Sequence, residues 1–168
     1  MKKFILTLFI VITCPAFANG DSLTSWKYDK TKDAVTGEVR ENIVGTNDVG
    51  IMYAMCISES SGKVDFFIGF RGYNFEITKN KLENRLALKV DENSPHIMSG
   101  NEFLGGTISI NQDYTFDVLV ELINGKVIVV RLTDDKNNFQ NISMELNDFM
   151  PNFTKTSCWK KLLEQSKK

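Results

Sequence analysis

The chain has 168 residues, of which 42% are hydrophobic, and its 20 basic and 21 acidic side chains leave a net charge of −1. This length is enough for one domain with a proper hydrophobic core. A near-neutral chain without a basic stripe offers no footprint for nucleic acid, so the composition argues against nucleic-acid binding.

Residues 1–18 have the pattern of a cleaved signal peptide. Two lysines lie near the start, residues 4–13 form an apolar run, and Ala16-Phe17-Ala18 has the small-x-small pattern of a cleavage site. The apolar run is shorter than the roughly 20 residues of a membrane-spanning helix. We therefore predict cleavage after Ala18 and export to a bacterial periplasm. An uncleaved membrane anchor and a lipoprotein modified at Cys14 are the alternatives.

Export would leave residues 19–168, with 18 basic and 21 acidic side chains and two cysteines, Cys56 and Cys158. An even number of cysteines in an oxidising compartment predicts a disulfide between them. Two independent buried thiols are the alternative. No second apolar run approaches membrane length, so we expect no membrane span once the signal is removed.

The first half of the mature chain predicts β-sheet. The apolar run at residues 50–57 is typical of a buried strand, and the run at 64–70 is expected to form a hairpin with it. Gly69 and Gly72 interrupt the second run and predict a bulge or a bend. Further strands are predicted at residues 25–29, 34–41 (an edge strand), 75–78 and 85–91.

The second half predicts a helix. Residues 96–106 are irregular and rich in glycine, and a short strand is predicted at 107–110. Over residues 114–123, apolar side chains recur at helical spacing and predict an amphipathic helix with one stripe facing the core. The stripe consists of Phe116, Leu119, Val120 and Ile123.

A second hairpin and a C-terminal helix complete the chain. Residues 126–133 and 139–146 predict the two strands of the hairpin, and a helix is expected from about residue 147. Phe149, Met150 and Phe153 are predicted to face inward, whereas residues 160–168 are expected to be solvated. The predicted fold is one α+β domain at 19–168. It is predominantly antiparallel sheet with two hairpins, edge strands, a mid-chain helix, a C-terminal helix and one disulfide.

The search for catalytic and metal-binding motifs gives mostly negative results. His96 is the single histidine, so a metal site would depend on carboxylates around it, and the nucleophile-elbow and phosphate-loop motifs do not occur. The acidic turn that begins at Asp134 lacks the central glycine and the terminal glutamate of a calcium-binding EF-hand loop. We therefore predict no catalytic residues, no metal site and no cofactor.

The segment from Gly69 to Tyr73 is the predicted partner-binding site. It combines two glycines with Phe70, Arg71 and Tyr73, and arginine and tyrosine are enriched among interface hot spots. The alternative is a structural bend with Phe70 buried. If this segment is not the site, the glycine-rich residues 99–106 are the next candidate.

Several elements occur in an order that resembles small exported proteins of the VasI type, which are associated with type VI secretion. They are Trp26 before a charged turn, the Cys56 strand and its hairpin partner, the strand ending in Lys89-Val90-Asp91, a helix leading into residues 127–133, and Cys158-Trp159. The resemblance implies the fold and the disulfide but no catalytic residues.

We therefore expect a non-enzymatic periplasmic binding or accessory protein with a protein partner, and the resemblance associates it with a secretion system. An inhibitor or immunity protein that blocks a cell-wall hydrolase or a toxin is the alternative.

Overall fold

The computed structural model describes residues 23–75, 85–103, 106–110, 112–134 and 136–165. The predicted signal peptide and residues 76–78 of one predicted strand lie outside this part of the chain. The described strands are β1 (Ser25–Lys32), β2 (Val39–Thr46), β3 (Gly50–Ser58), β4 (Val64–Gly72), β5 (Arg85–Val90), β6 (His96–Ser99), β7 (Asn101–Phe103), β8 (Thr107–Ser109), β9 (Val127–Thr133) and β10 (Phe139–Glu145). The described helices are α1 (Gln112–Asn124), α2 (Phe149–Phe153) and α3 (Ser157–Gln165).

The strands form two antiparallel sheets. One has six strands in the order β1-β2-β3-β4-β8-β7, and the other has four in the order β10-β9-β5-β6. The hairpins β3–β4 and β9–β10 pair as the sequence predicted, and a mid-chain helix and C-terminal helices are present. The predicted α+β fold is confirmed.

The core lies against one face of the six-stranded sheet. Strand alternation directs Ile43, Met52, Ala54, Ile68 and Phe70 to this inner face, where all are fully or almost fully buried. The four-stranded sheet and the helices contribute the opposing apolar side chains. They include Leu86, Leu88, Ile128, Leu132, Leu122, Phe149 and Phe153.

The C-terminal helices are fixed to the six-stranded sheet by aromatic contacts and by a disulfide. Phe149 and Phe153 of α2 stack at 5.8 Å, and Trp26 of β1 meets Phe149 edge-on at 5.4 Å. Cys56 and Cys158 form the predicted disulfide, with their Cα atoms 5.9 Å apart and 102 residues of separation along the chain. The start of α3 is therefore covalently attached to β3.

Hydrogen bonds join the open edge of β10 to the six-stranded sheet. The Trp26 indole N–H donates to the Glu145 carbonyl at 2.8 Å, and the Asn47 amide donates to the Ser143 carbonyl at 2.6 Å. The Glu145 N–H donates to the Thr24 hydroxyl at 3.0 Å. These bonds satisfy backbone groups that an edge strand would otherwise leave open to another chain.

The predicted interruption of the strand at Gly69 and Gly72, by a bulge or a bend, is wrong. β4 pairs with β3 without interruption, from Ser58 opposite Val64 to Gly50 opposite Gly72. Gly72 serves packing instead, because a Cβ at this position would overlap the side-chain oxygen of Gln140 on β10. The glycine thus lets the two sheets approach each other.

The predicted edge strand at residues 34–41 is wrong in its start and its position. Asp33 accepts hydrogen bonds from the N–H groups of Val35 and Thr36 at 2.8 and 2.7 Å, so residues 34–36 form a turn. β2 begins at Val39 and lies between β1 and β3. The edge strand is β1 instead. It continues to Lys32, and all eight of its residues pair with β2.

The helix stripe is shifted from its predicted position. Val118, Leu119 and Leu122 of α1 are buried, whereas Phe116 and Val120 are 59% and 43% exposed. Residues 96–106 also differ from the irregular segment that was predicted, because they include β6 and β7. Gly100 lies between these strands, where the chain passes from one sheet to the other.

Candidate functional site

The face of the six-stranded sheet that points away from the core, here called the outer face, carries several apolar side chains. Alternation places Val44, Tyr53, Met55 and Phe67 there, and all four are half-buried. Each of these residues neighbours a core residue along its strand. The strands at the centre of the sheet are therefore apolar on both faces.

A recess of about 360 Å³ lies on the outer face, and one end of it is a hollow over β4. Gly69 lies at its centre, because the residue pairs with Tyr53 on β3 and with Ser109 on β8 and has no side chain of its own. Phe67 and Arg71 flank Gly69 along β4. A Cβ at Gly69 would lie 2.7 Å from the Thr107 methyl group, so even alanine would intrude on the wall. We call the space bounded by Tyr53, Phe67, Arg71 and Thr107 the Gly69 hollow.

The hollow continues across the sheet as a shallow groove. It passes over Met55 and Val44 and reaches Asn42 and Asp29 on the far side. Its two ends therefore carry opposite charges, Arg71 at one and Asp29 at the other. Among the described residues, neither side chain has an ion-pair partner or a side-chain hydrogen bond.

An apolar recess with a charged group at each end is suited to binding a ligand or a partner side chain. Ligand sites are concave and mostly apolar, with a few polar groups that fix orientation, and they span about 300–1,000 Å³. The whole recess, hollow and groove together, is at the small end of this range and is open to solvent. It therefore has room for one large side chain or a ligand of similar size.

Of the three residues predicted to bind a partner, Arg71 alone lines the hollow. Phe70 is 0% exposed in the core, so it cannot contact a partner in the folded state. Tyr73 is 49% exposed but follows the end of β4, where its N–H donates to the Val49 carbonyl at 3.1 Å. The region 99–106 contributes no described residue to the hollow.

Sequence reasoning missed Tyr53 as a lining residue, and it assigned Gly69 a role in bending the chain rather than in opening a recess. The signal for Tyr53 was the apolar run at 50–57, which has no polar alternation and predicts a buried strand. In the structure this strand is buried on one face and bears the groove on the other. Apolar residues at every position of a strand therefore also fit a sheet with an uncovered binding face.

A second, smaller space of about 220 Å³ lies between β4, α1 and α3, beside Cys158. Its lining is mainly apolar and includes the exposed Phe116. Lys161 is also in the lining, but its ammonium group donates to the Gly62 carbonyl at 3.0 Å. With its one charged lining group already engaged, this groove is the weaker candidate.

A buried carboxylate lies on the inner face, close to the disulfide. Glu41 of β2 is 1% exposed, and its Oε2 accepts hydrogen bonds from the N–H and hydroxyl of Ser157, the first residue of α3. Its Oε1 accepts from the Tyr28 hydroxyl at 3.0 Å and from the Lys30 ammonium at 3.1 Å. The carboxylate therefore caps α3 from a different part of the chain.

The environment of Glu41 shifts two pKa values in opposite directions. Burial raises the pKa of Glu41, but the hydrogen bonds from Ser157, Lys30 and Tyr28 outweigh this effect and hold the pKa below its ordinary value of 4.5. Burial, together with the bond donated to Glu41, raises the pKa of Tyr28 to about 12. Tyr28, Lys30 and Ser157 all donate to Glu41, so the cluster has a structural role.

His96 lies away from the hollow. It belongs to β6 of the four-stranded sheet, and its Nε2 lies 2.9 Å from Glu121 Oε1 on α1. The contact joins the helix to the sheet. Among the residues that the structure describes, no three His, Cys, Asp or Glu side chains lie together in a way that could hold a metal ion.

Comparisons with protein-family models, with curated proteins and with solved structures found no match for this chain. The resemblance to VasI-type proteins therefore stays a prediction from the sequence layout. Within the described ranges, no helix is long and apolar enough to cross a membrane.

Proposed function

We propose that the protein is a non-catalytic periplasmic binding protein that holds a partner protein on the outer face of its six-stranded sheet. The observation that carries this proposal is the Gly69 hollow, an open, largely apolar recess with Arg71 at its end, where no described residue forms an ion pair with the arginine. A side chain of the partner enters the hollow, and the surrounding groove excludes water from the contact.

The residue types of the groove support this proposal. Tyrosine and arginine are enriched among residues that carry interface binding energy, and Tyr53 and Arg71 lie on two sides of one recess. Val44, Met55 and Phe67 extend the apolar area across neighbouring strands. Exposed apolar patches with polar margins commonly mark sites of protein association.

The rigidity of the site also supports binding. The groove residues lie on paired strands of the sheet, and the disulfide fixes β3 to α3 on the opposite face. A surface that is already ordered loses little conformational entropy when a partner binds. The opposite face of the same strands is filled by core side chains, so the groove has a fixed floor.

The partner's identity separates the two roles that the sequence left open. The VasI-type layout favours a component of a secretion apparatus, whereas a cell-wall hydrolase or a toxin would indicate an inhibitor or immunity role. Both roles would use the same surface.

The proposal is tested by capture from a periplasmic extract with immobilised mature protein, compared between three forms. Gly69→Val/Thr107→Ala fills the hollow and removes the methyl group that a new side chain would strike, and Thr107→Ala alone is the matched control. A partner held in the hollow is captured by the wild type and by Thr107→Ala but is lost with the filled variant. Capture that is equal in all three forms, with folding confirmed by circular dichroism, would contradict the proposal.

A further inference from the structure

The two features that define the hollow are two residues apart on one strand. Gly69 provides the recess and Arg71 provides the charge. The Cα atoms of the two residues therefore lie roughly 7 Å apart, and both positions are on the same face of β4. An extended polypeptide has the same repeat, because its alternate side chains also point to one side at this spacing. A segment lying along β4 would therefore present its side chains in step with these two features.

From this match we infer that the partner binds through an extended segment in which an apolar residue and an acidic residue are two positions apart. The apolar side chain enters the Gly69 hollow, and the carboxylate pairs with Arg71. This inference rests on the proposed function and specifies the chemistry of the partner at the same site.

A carboxylate is the appropriate group for Arg71. The planar guanidinium forms paired hydrogen bonds with a carboxylate. No described acidic residue pairs with the Arg71 guanidinium. The lining supplies aromatic and methyl surface on the other sides, through Tyr53, Phe67 and Thr107. An apolar side chain beside an acidic one complements both halves of the site.

The charge at the far end of the groove favours one placement of the segment's acidic residue. Asp29 lies across the sheet from the hollow, in the row formed with Asn42, Met55 and Phe67. Lys27 lies on the same face of β1, two residues from Asp29, but outside the groove lining. The acidic residue of the segment is thus favoured at the Arg71 end, since a carboxylate near Asp29 would meet a like charge.

The experiment uses synthetic peptides and isotope-labelled mature protein, observed by NMR. The peptides have blocked termini and carry phenylalanine or leucine two positions from glutamate, with matched peptides that carry glutamine or lysine in place of glutamate. We expect the glutamate peptides to shift the amide signals of Tyr53, Gly69 and Arg71 in a saturable way at up to millimolar concentration. The glutamine peptides should bind about tenfold more weakly.

A charge exchange provides the decisive control. Arg71→Glu should lose the glutamate peptides and gain the lysine peptides, whereas Lys136→Glu, a charge reversal at an exposed position between β9 and β10 and outside the groove lining, should keep the preference of the wild type. Arg71 is exposed and has no side-chain partner among the described residues, so we expect Arg71→Glu to fold.

The outcomes of these experiments test the inference separately from the proposed function. Peptides that bind in the hollow with equal affinity for glutamate and lysine would overturn the charge pairing and leave the binding surface in place. No saturable shift at Gly69 with any peptide overturns the extended-segment inference, and the capture comparison with the filled variant then decides the binding function on its own. An unchanged preference in Arg71→Glu would also overturn the inference.

Discussion

Glu41 and Ser157 lie 116 residues apart in the chain, yet the carboxylate accepts hydrogen bonds from both the N–H and the hydroxyl of the serine, at 2.7 and 2.6 Å. Ser157 begins α3, and the adjacent Cys158 is bonded to Cys56, which lies opposite Glu41 in the sheet. A covalent bond and a buried carboxylate therefore fix the same end of the same helix. This arrangement holds the strands beneath the outer-face groove against the C-terminal helices.

Replacing the buried carboxylate should destabilise the fold. Glu41→Gln places an amide N–H₂ group among side chains that donate hydrogen bonds, and we expect the free energy of unfolding to fall by about 2–4 kcal/mol. Urea unfolding measures the change. Glu38→Gln is the matched control, because Glu38 pairs with Arg40 at the exposed surface and its loss should cost under about 0.5 kcal/mol.

The pH dependence of stability should have an alkaline component from Tyr28. Its pKa is raised from 10.0 to about 12, so its contribution is complete below pH 10 and is lost as the pH rises toward 12. Tyr28→Phe should therefore lose less stability over this window than the wild type does. Equal losses in the two proteins would contradict the assignment.

The loss of stability at acidic pH should depend on Glu41. Because its folded pKa is lowered, its contribution is complete well above 4.5 and declines as the pH falls through the lowered value. The difference in unfolding free energy between the wild type and Glu41→Gln should therefore shrink as the solution is acidified. A difference that stays constant down to strongly acidic pH would argue against a bound carboxylate anion.

The disulfide should contribute a large part of the stability. It closes a loop with a sequence separation of 102 residues, and the loss of a native disulfide typically costs about 2–5 kcal/mol. The variant Cys56→Ala/Cys158→Ala avoids leaving a reactive thiol and should unfold at lower urea concentration. Adding a reductant should shift the wild-type midpoint toward that of the variant and leave the variant unchanged.

The corrected face of α1 can be tested with two substitutions on the same helix. Leu122 is buried in the core, and Leu122→Ala should cost about 2–5 kcal/mol. Val120 is largely exposed, so Val120→Ala should cost under about 1 kcal/mol. Similar losses for the two variants would favour the stripe that was predicted from the sequence.

The parts of the fold that were predictable are those in which local pattern and tertiary environment agree. The apolar run at 50–57, the alternation around Leu86 and Leu88, and the turn-separated strands β9 and β10 each indicated the correct element. Two cysteines were enough to predict the disulfide. In each case a single physical preference decides the outcome.

The errors arise where tertiary packing decides between local alternatives. The helical spacing in α1 also allows the stripe of Val118, Leu119 and Leu122, and the neighbouring elements determine which stripe is buried. Likewise, the glycines of β4 suggested a bend, but one provides space for Gln140 and the other opens the hollow. Arg71 was predicted as a binding residue from its type, whereas the role of Gly69 depends on strand pairing that the sequence does not specify.

Site-specific photocrosslinking tests the binding surface most directly. A photoreactive phenylalanine derivative at position 53 lies in the groove, whereas the same group at position 97 replaces Ile97, which is 72% exposed on the other sheet. On irradiation in periplasmic extract, we expect a crosslinked partner from position 53 that is absent from position 97 and is lost when Gly69→Val/Thr107→Ala fills the hollow. A partner that crosslinks from position 97 but not from position 53 would contradict binding on the outer face.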